Sequence, residues 1–372
     1  MNQVSAYLYD RGRWREREPV DESAYEYRRK VLGERHPDTI RSKASLAATY
    51  HAQGRYNEAE KISVEVLALQ RDILGQKHPD TIQSMADLGT AYYAQGRYDE
   101  GEKMLVDVPA LQGNVLGKKH PGTISSIARL AAIYVAQGRY DEAEKSYIEV
   151  LALRRQVLSE NHPHTIQSIA DLATIRNTQR RYNEAEKMLV EVLALRRDVL
   201  GERHPDTIWS RADLATTYYY QGRYHEAEKI MVEVLALRCN LFGEKHSDTI
   251  RGMTDLGAIY NAQGRYDEAQ KMSVEVLALR RDILGERHPD TLQAIHNLAI
   301  TLRNRQQYPE ALAMMQECFR LQCEVLDQTH PSVRSSLHLL NRWKEEDMKN
   351  LGSRVSQAFG RLTHHIKARI SP

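Results

Sequence analysis

Gly201-Glu202-Arg203-His204-Pro205-Asp206-Thr207-Ile208 decides how this chain is read. Its histidine returns as His36, His78, His120, His162, His204, His246, His288 and His330, always 42 residues on. Proline follows each copy except at Ser247. A fixed period of about 20–50 residues marks a stacked array. The 372 residues, which would otherwise suggest two or three globular domains, are therefore read as a one-dimensional stack whose units touch only their neighbours.

The period from Pro79 to Pro121 shows the unit. Pro79-Asp80-Thr81 opens a helix, because proline suits the first helical position and Asp80 complements the helix dipole. A residue before proline is pushed out of the α region, which puts His78 at the N-cap in extended geometry. Ile82, Met85, Leu88, Gly89 and Tyr92 then recur at three and four residues along one helical face. Gln95-Gly96-Arg97 ends helix A, with Gly96 as the left-handed stop. Tyr98-Asp99-Glu100 starts helix B, which runs to about Leu116 and stops at Gly117.

Composition narrows the function classes. Lys and Arg number 52 against 50 Asp and Glu, a net charge of +2 with both signs interspersed. Nucleic-acid binding, which shows as a clustered basic excess, is not expected. Cys239, Cys318 and Cys323 form no CxxC pair and suggest neither a disulfide framework nor a zinc ribbon. Arg11, Arg13 and Arg15, with no apolar run beside them, do not read as a signal peptide. No stretch approaches the roughly 18–20 apolar residues of a membrane span. The expected setting is a reducing, soluble, cytoplasmic one.

Eight evenly spaced histidines invite a metal reading, which geometry rejects. Stacked helices lie about 8–10 Å apart, whereas His–zinc bonds are about 2.0–2.1 Å. Each His is instead expected to pack the corner between helix B and the next helix A. Gly113 to Lys119 is one residue short of a phosphate loop and has no Ser or Thr after its lysine. Cys318 and Cys323 fall on different sides of a helix. No catalytic set, metal or cofactor is expected.

Met85-x-x-Leu88-Gly89-x-x-Tyr92 resembles the W-x2-L-G-x2-Y core of the tetratricopeptide repeat, with Met at the bulky position. The Leu recurs at Leu46, Leu130, Leu172, Leu214, Leu256 and Leu298, and its small partner at Ala47, Ala131, Ala173, Ala215, Gly257 and Ala299. Helix B carries Tyr-x-x-Ala at Tyr56/Ala59, Tyr140/Ala143, Tyr182/Ala185, Tyr224/Ala227, Tyr266/Ala269 and Tyr308/Ala311. The ordinary repeat has about 34 residues. The eight extra residues here lengthen helix B by about 12 Å. The long period, the LGxxHPxT junction and the QGxYxEAE turn are together similar to kinesin light chain repeats. The resemblance implies an all-α fold: a right-handed superhelical solenoid of stacked antiparallel helix pairs. Residues 1–37 read as a truncated first repeat or cap. Seven repeats follow, at 38–79, 80–121, 122–163, 164–205, 206–247, 248–289 and 290–331, then a capping helix and basic tail at 332–372.

Some copies break the pattern. Gly12-Arg13-Trp14 is in register with Gly54-Arg55-Tyr56, leaving only Asn2 to Asp10 for a first helix A, so the chain reads as the tail of a longer array or as a short cap. Gly101, Pro109 and Gly113 replace Ala59, Leu67 and Arg71, which predicts a kink in that helix B. Arg176 and Arg180 replace the helix-A Tyr and the turn Gly of the repeat they close. Ser332 to Lys344 reads as a last helix A. Val355, Phe359, Leu362, Ile366 and Ile370 share one face among basic residues, as a cap or as a basic amphipathic helix for a membrane or partner.

The resemblance also implies where a ligand lies, since in such stacks helix A lines the concave surface. The residue before each helix-A Leu is Ser45, Asp87, Arg129, Asp171, Asp213, Asp255 and Asn297. In kinesin light chains an Asn at this position contacts the backbone of an extended cargo peptide. Here Asp holds four of seven copies. Carboxylates about 10 Å apart can accept backbone N–H bonds or pair with Lys and Arg. One turn earlier come Arg41, Gln83, Ser125, Gln167, Trp209, Arg251 and Gln293, with Trp209 a candidate aromatic anchor. The competing reading is a solvated polar lining that binds nothing. On helix B, Arg154, Arg196, Arg238 and Arg280, beside Arg155, Arg197 and Arg281 and five residues after Glu149, Glu191, Glu233 and Glu275, read as a charge-balanced outer face.

The function expected is a non-catalytic scaffold that binds a protein or an extended, basic peptide in the groove. One alternative is the sensing tail of an NB-ARC/NLR-type nucleotide-switch receptor, suggested by near-identical copies such as VEVLALRRDILGERHPDT and VEVLALRRDVLGERHPDT. Another is a kinesin cargo adaptor. An enzyme acting alone is not expected.

Overall fold

The structure, a computed structural model, describes residues 14–326 and 330–349. Every regular element among them is helical. The chain forms two compact units, Met1–Val199 and Leu200–Pro372. The first holds α1 (Trp14–Leu32), α2 (Pro37–Ala52), α3 (Tyr56–Ile73), α4 (Pro79–Ala94), α5 (Tyr98–Leu105), α6 (Val108–Val115), α7 (Pro121–Ala136), α8 (Tyr140–Val157) and α9 (Pro163–Thr178), and α10 (Tyr182–Leu200) closes it. The second holds α11 (Pro205–Tyr220), α12 (Tyr224–Phe242), α13 (Ser247–Ala262), α14 (Tyr266–Leu284), α15 (Pro289–Asn304), α16 (Tyr308–Val325) and a further helical run over 331–349. Consecutive helices pack from α1 to α9 and from α11 to α16. This is a solenoid of antiparallel pairs, as the period predicts.

The junction motif builds each pair from its own letters. Gly201 and its counterparts Gly33, Gly75, Gly117, Gly243 and Gly285 end helix B at φ of 84–93°, a conformation that costs a side chain about 1–2 kcal/mol. His36, His78, His120, His162, His204, His246 and His288 are N-caps, with φ near −70° and ψ of 135–141°. Each accepts, through Nδ1, the backbone N–H two residues on at 3.1–3.2 Å. His330 makes the same bond to Ser332 N–H at 3.2 Å. The expected corner residue is therefore more specific than packing alone: its imidazole satisfies one of the orphan donors of the new helix. Ser247 shows that the following proline is dispensable, since His246 caps α13 unaided. Thr207 and Thr249 donate back to the Gly201 and Gly243 carbonyls at 2.8 Å, tying the end of helix B to the start of helix A. Ile208 and its counterparts then enter the core at 0–4% exposure.

The irregular third copy behaves as expected. Helix B there is broken into α5 and α6 around Val106 and Asp107, just before Pro109. Gly101 has a reason beyond helix propensity. A Cβ on it would meet Ile133 Cδ1 at 3.0 Å and the Gly89 carbonyl at 3.1 Å, and one on Gly89 would meet Leu105 Cγ at 2.6 Å. The two glycines let α4 and α5 approach backbone to backbone. Arg180 keeps the left-handed turn at φ 62° without glycine. Gln306 does the same at φ 66°, a departure the sequence reading passed over. The expected helix over Asn2–Asp10 and the apolar face from Val355 to Ile370 lie outside the described residues. The run over 331–349 packs Val333, Leu340 and Trp343 against the core and receives ion pairs from Arg303 to Glu346 and Asp347 at 2.9 Å.

His288→Ala removes a cap and should destabilise the first turn of α15 by about 1 kcal/mol, while His288→Asn restores most of it. Hydrogen exchange across Pro289 to Gln293 reads both. Pro109→Leu should rejoin α5 and α6 and raise the unfolding midpoint, a gain of about 1–3 kcal/mol. Gly101→Ala should lower the midpoint, although helix propensity alone would make it a gain of about 1 kcal/mol.

Candidate functional site

Helix A places the two predicted rows on one face, because positions four apart lie one above the other. The pairs meet as hydrogen bonds: Gln83 Nε2 to Asp87 Oδ1 at 2.9 Å, Gln167 Nε2 to Asp171 Oδ1 at 2.7 Å, and Gln293 Nε2 to Asn297 Oδ1 at 2.9 Å. In the first unit Arg129 Nη1 also lies 3.6 Å from Asp87 Oδ1. In the second unit Trp209 is 39% exposed near the start of α11, one turn before the exposed Asp213. Arg251 is turned to its own helix start, donating to Asp248 Oδ1 at 2.6 Å. Arg41 likewise donates to Asp38 at 3.1 Å and to Asp80 at 3.3 Å. Ser45 differs from the rest. It accepts from Arg17 Nη2 at 2.9 Å and donates to Asp21 Oδ2 at 3.3 Å, inside a buried cluster with α1.

The ladder carboxylates sit in an unfavourable place when ionised. Asp87 keeps 62% of its side chain in contact with solvent, yet protein rises around it on the helix-A face. Desolvation raises its carboxyl pKa above the ordinary value, with Arg129 and the Gln83 hydrogen bond opposing the shift. Asp171 and Asp255 are raised for the same reason. The Gln167 bond, Arg154 and Arg196 oppose it at Asp171; at Asp255, Arg238, Arg251 and Arg280 oppose it and Asp213 adds to it. Desolvation costs an ion more than these neighbours return.

The helix-B arginines require a correction. Arg155, Arg197, Arg281 and the glutamates Glu149, Glu191, Glu233 and Glu275 are exposed, as an outer face should be. Arg154, Arg196, Arg238 and Arg280 are not part of that face: Arg196 and Arg238 are 5% and 1% exposed. Arg154, Arg238 and Arg280 reach the first turn of the next helix A, donating to the carbonyls of His164, Asp248 and Asp290 at 2.7, 2.9 and 2.6 Å. Neighbouring positions along a helix point 100° apart, so one arginine of each pair turns in while the other turns out.

The sequence reading also missed a staple at the other end of each pair. Arg55, Arg97, Arg139 and Arg265 lay their guanidinium on Tyr50, Tyr92, Tyr134 and Tyr260 at 3.9–4.3 Å. The same arginines reach back to Glu18, Glu60, Glu102 and Glu228 of the preceding helix B at 2.5–2.7 Å. The signal was the constant separation of 37 residues between each of these arginines and its glutamate. These pairs are half-exposed and hold register between repeats more than they add stability.

No groups that could hold a metal ion occur among the described residues. No described helix is long and apolar enough to cross a membrane. Paired helices, junction caps and a variable helix-A face define a repeat solenoid. The chain belongs to the tetratricopeptide repeat family, whose model matches residues 1–69, 43–108, 92–147, 123–198, 168–240 and 241–340. It is similar in fold to a tetratricopeptide repeat protein from Parabacteroides merdae, at 15% identity and a TM-score of 0.55 over 81% of this chain and 96% of that one. A Rap protein complexed with competence and sporulation factor is similar at 12% identity and 0.54, over 92% and 96%. The nearly identical TPR-like repeats of a candidate kinesin light chain from Podospora anserina share 28% identity at a TM-score of 0.48, over 55% and 97%. No curated protein matches the chain.

The raised ladder carboxylates give a pH prediction with a definite sign. In the folded chain Asp171 holds its proton more firmly than in the unfolded chain, so its ionisation opposes folding at neutral pH. That penalty disappears as the pH falls below the ordinary value of 3.8. Asp171→Asn should therefore raise the melting temperature at pH 7, and the gain should shrink steadily in melts taken toward pH 4.

Proposed function

We propose that this chain is a non-catalytic scaffold that holds a protein or extended peptide along the helix-A face. The observation behind this reading is that Asp87, Asp171 and Asp255, crowded by protein yet still open to solvent, stand at positions that vary within an otherwise fixed frame. A carboxylate penalised in the free protein gains most from a partner that brings donors: backbone N–H groups, Lys or Arg. Fold stability does not call for acids there, since Ser, Arg and Asn stand at the same position in other repeats. The Rap protein, of the same fold, is complexed with a factor named for competence and sporulation, which agrees with a contact role for such stacks. Cys239, Cys318 and Cys323 are free thiols, in keeping with a reducing, cytoplasmic setting.

Capture of partners from lysate, followed by mass spectrometry, tests the face directly. Replacing Asp171, Asp213 and Asp255 by Lys together should remove basic partners or exchange them for acidic ones. An identical partner set in a folded triple variant would refute the assignment.

A further inference from the structure

One column of the array is unevenly filled. Leu105, Tyr147, Leu189, Met231 and Met315 occupy equivalent positions on successive helices B and are 0–7% exposed. The same column holds serine at Ser63 and Ser273. At each serine the helix-A face opens into a pit: about 290 Å³ beside Ser63 in the first unit and about 340 Å³ beside Ser273 in the second. The walls of the second pit come from α13 and α15 and its floor from Ser273 and Val276 of α14. Its lining carries no charged side chain. The first pit differs, with Asp87 and Arg129 in its wall.

The second pit also holds an acceptor without a donor. Thr301 donates its hydroxyl to the Asn297 carbonyl at 3.0 Å, so it can only accept from Asn261 Nδ2, at 2.9 Å. That bond turns the Asn261 amide and leaves its Oδ1 buried without a partner. At the equivalent place in the first pit, His51 Nε2 is likewise buried without a partner. Void and orphan polar atom thus coincide in both pits.

We propose that the pit at Ser273 receives a bulky uncharged side chain, of the Leu, Met or Phe class, from an extended partner segment. The column itself argues for this occupant. Elsewhere the space above helix B is filled by the protein's own Leu, Met or Tyr; here the partner supplies the missing side chain. Val276, Ile300 and the alanines of the lining offer contact to an apolar guest, and an enclosed apolar cavity of about 150 Å³ is already enough for benzene. The uncharged lining disfavours Lys, Arg, Asp and Glu, which would lose their hydration without a counter-charge. The proposal rests on the helix-A face being the docking face and narrows what part of it reads.

The test titrates the full chain with N-acetyl-leucinamide, N-acetyl-phenylalaninamide and N-acetyl-lysinamide at millimolar concentration, followed by methyl NMR of Val276 and Ile300. The expected result is a saturating shift with the first two and none with the third. Ser273→Leu, which copies Leu189, should melt higher than the parent and weaken the response at least tenfold. Ser273→Met, which copies Met231, serves equally if the Leu variant does not fold. No response to either apolar amide, an equal response to lysinamide, or an unaltered response in the filled variants would overturn the proposal. These outcomes are separable from those of the face: the lysine triple variant leaves the pit intact, so an unchanged partner set would sink the docking face whatever the amides do.

Discussion

The bond from a backbone N–H to His Nδ1 at each junction carries the pitch of the array. A helix start leaves orphan donors that must be met by side chains or water. Here an imidazole meets one of them at every repeat, and it does so whether proline follows, as at His204, or serine, as at His246. At His204 and His246 glycine ends helix B three residues earlier and threonine ties back to it, which joins stop to start. A uniform joint is what lets 42-residue units stack in register, since an error at one junction would shift every ladder beyond it.

Frame and surface divide the sequence between them. Ile208, Leu214, Ala215 and Ala227 are nearly identical from copy to copy because each meets the same neighbours across the stack. Contacts between repeats on the helix-A face are polar, as between Arg129 and Asp87, and its side chains vary: Asp, Asn, Arg and Ser share one position there. Crowding a carboxylate with protein without full compensation is poor for stability. A partner with N–H or cationic donors would relieve such a penalty, and the proposed docking would draw on it.

Two further features concern helix B. The Arg–Tyr–Glu staple uses one guanidinium to cover a ring and bridge two repeats, which explains why arginine, with its planar fork, stands at Arg97 and Arg139. The core column under the helix-A face accepts Leu, Met, Tyr or Ser at the same backbone position. Where serine stands, the frame survives because the flanking Val276 and Leu277 still fill their sites, and the surface gains a pit.

The period, the helix boundaries, the broken helix B at Pro109 and the face carrying Asp87 and Asp171 were all legible in the sequence. Each depends on local rules: proline at a helix start, left-handed glycine at a stop, and 3.6-residue spacing. Tertiary structure decided the rest. Which arginine of Arg154 and Arg155 turns inward depends on where the next helix A puts its carbonyls. Whether Ser45 faces a ligand or a buried cluster depends on Arg17 and Asp21, 28 and 24 residues away. Ser273 looks like any polar residue of a helix until its column is seen in space. Spacing along a chain specifies local geometry, whereas burial and desolvation depend on the neighbours that stacking brings together.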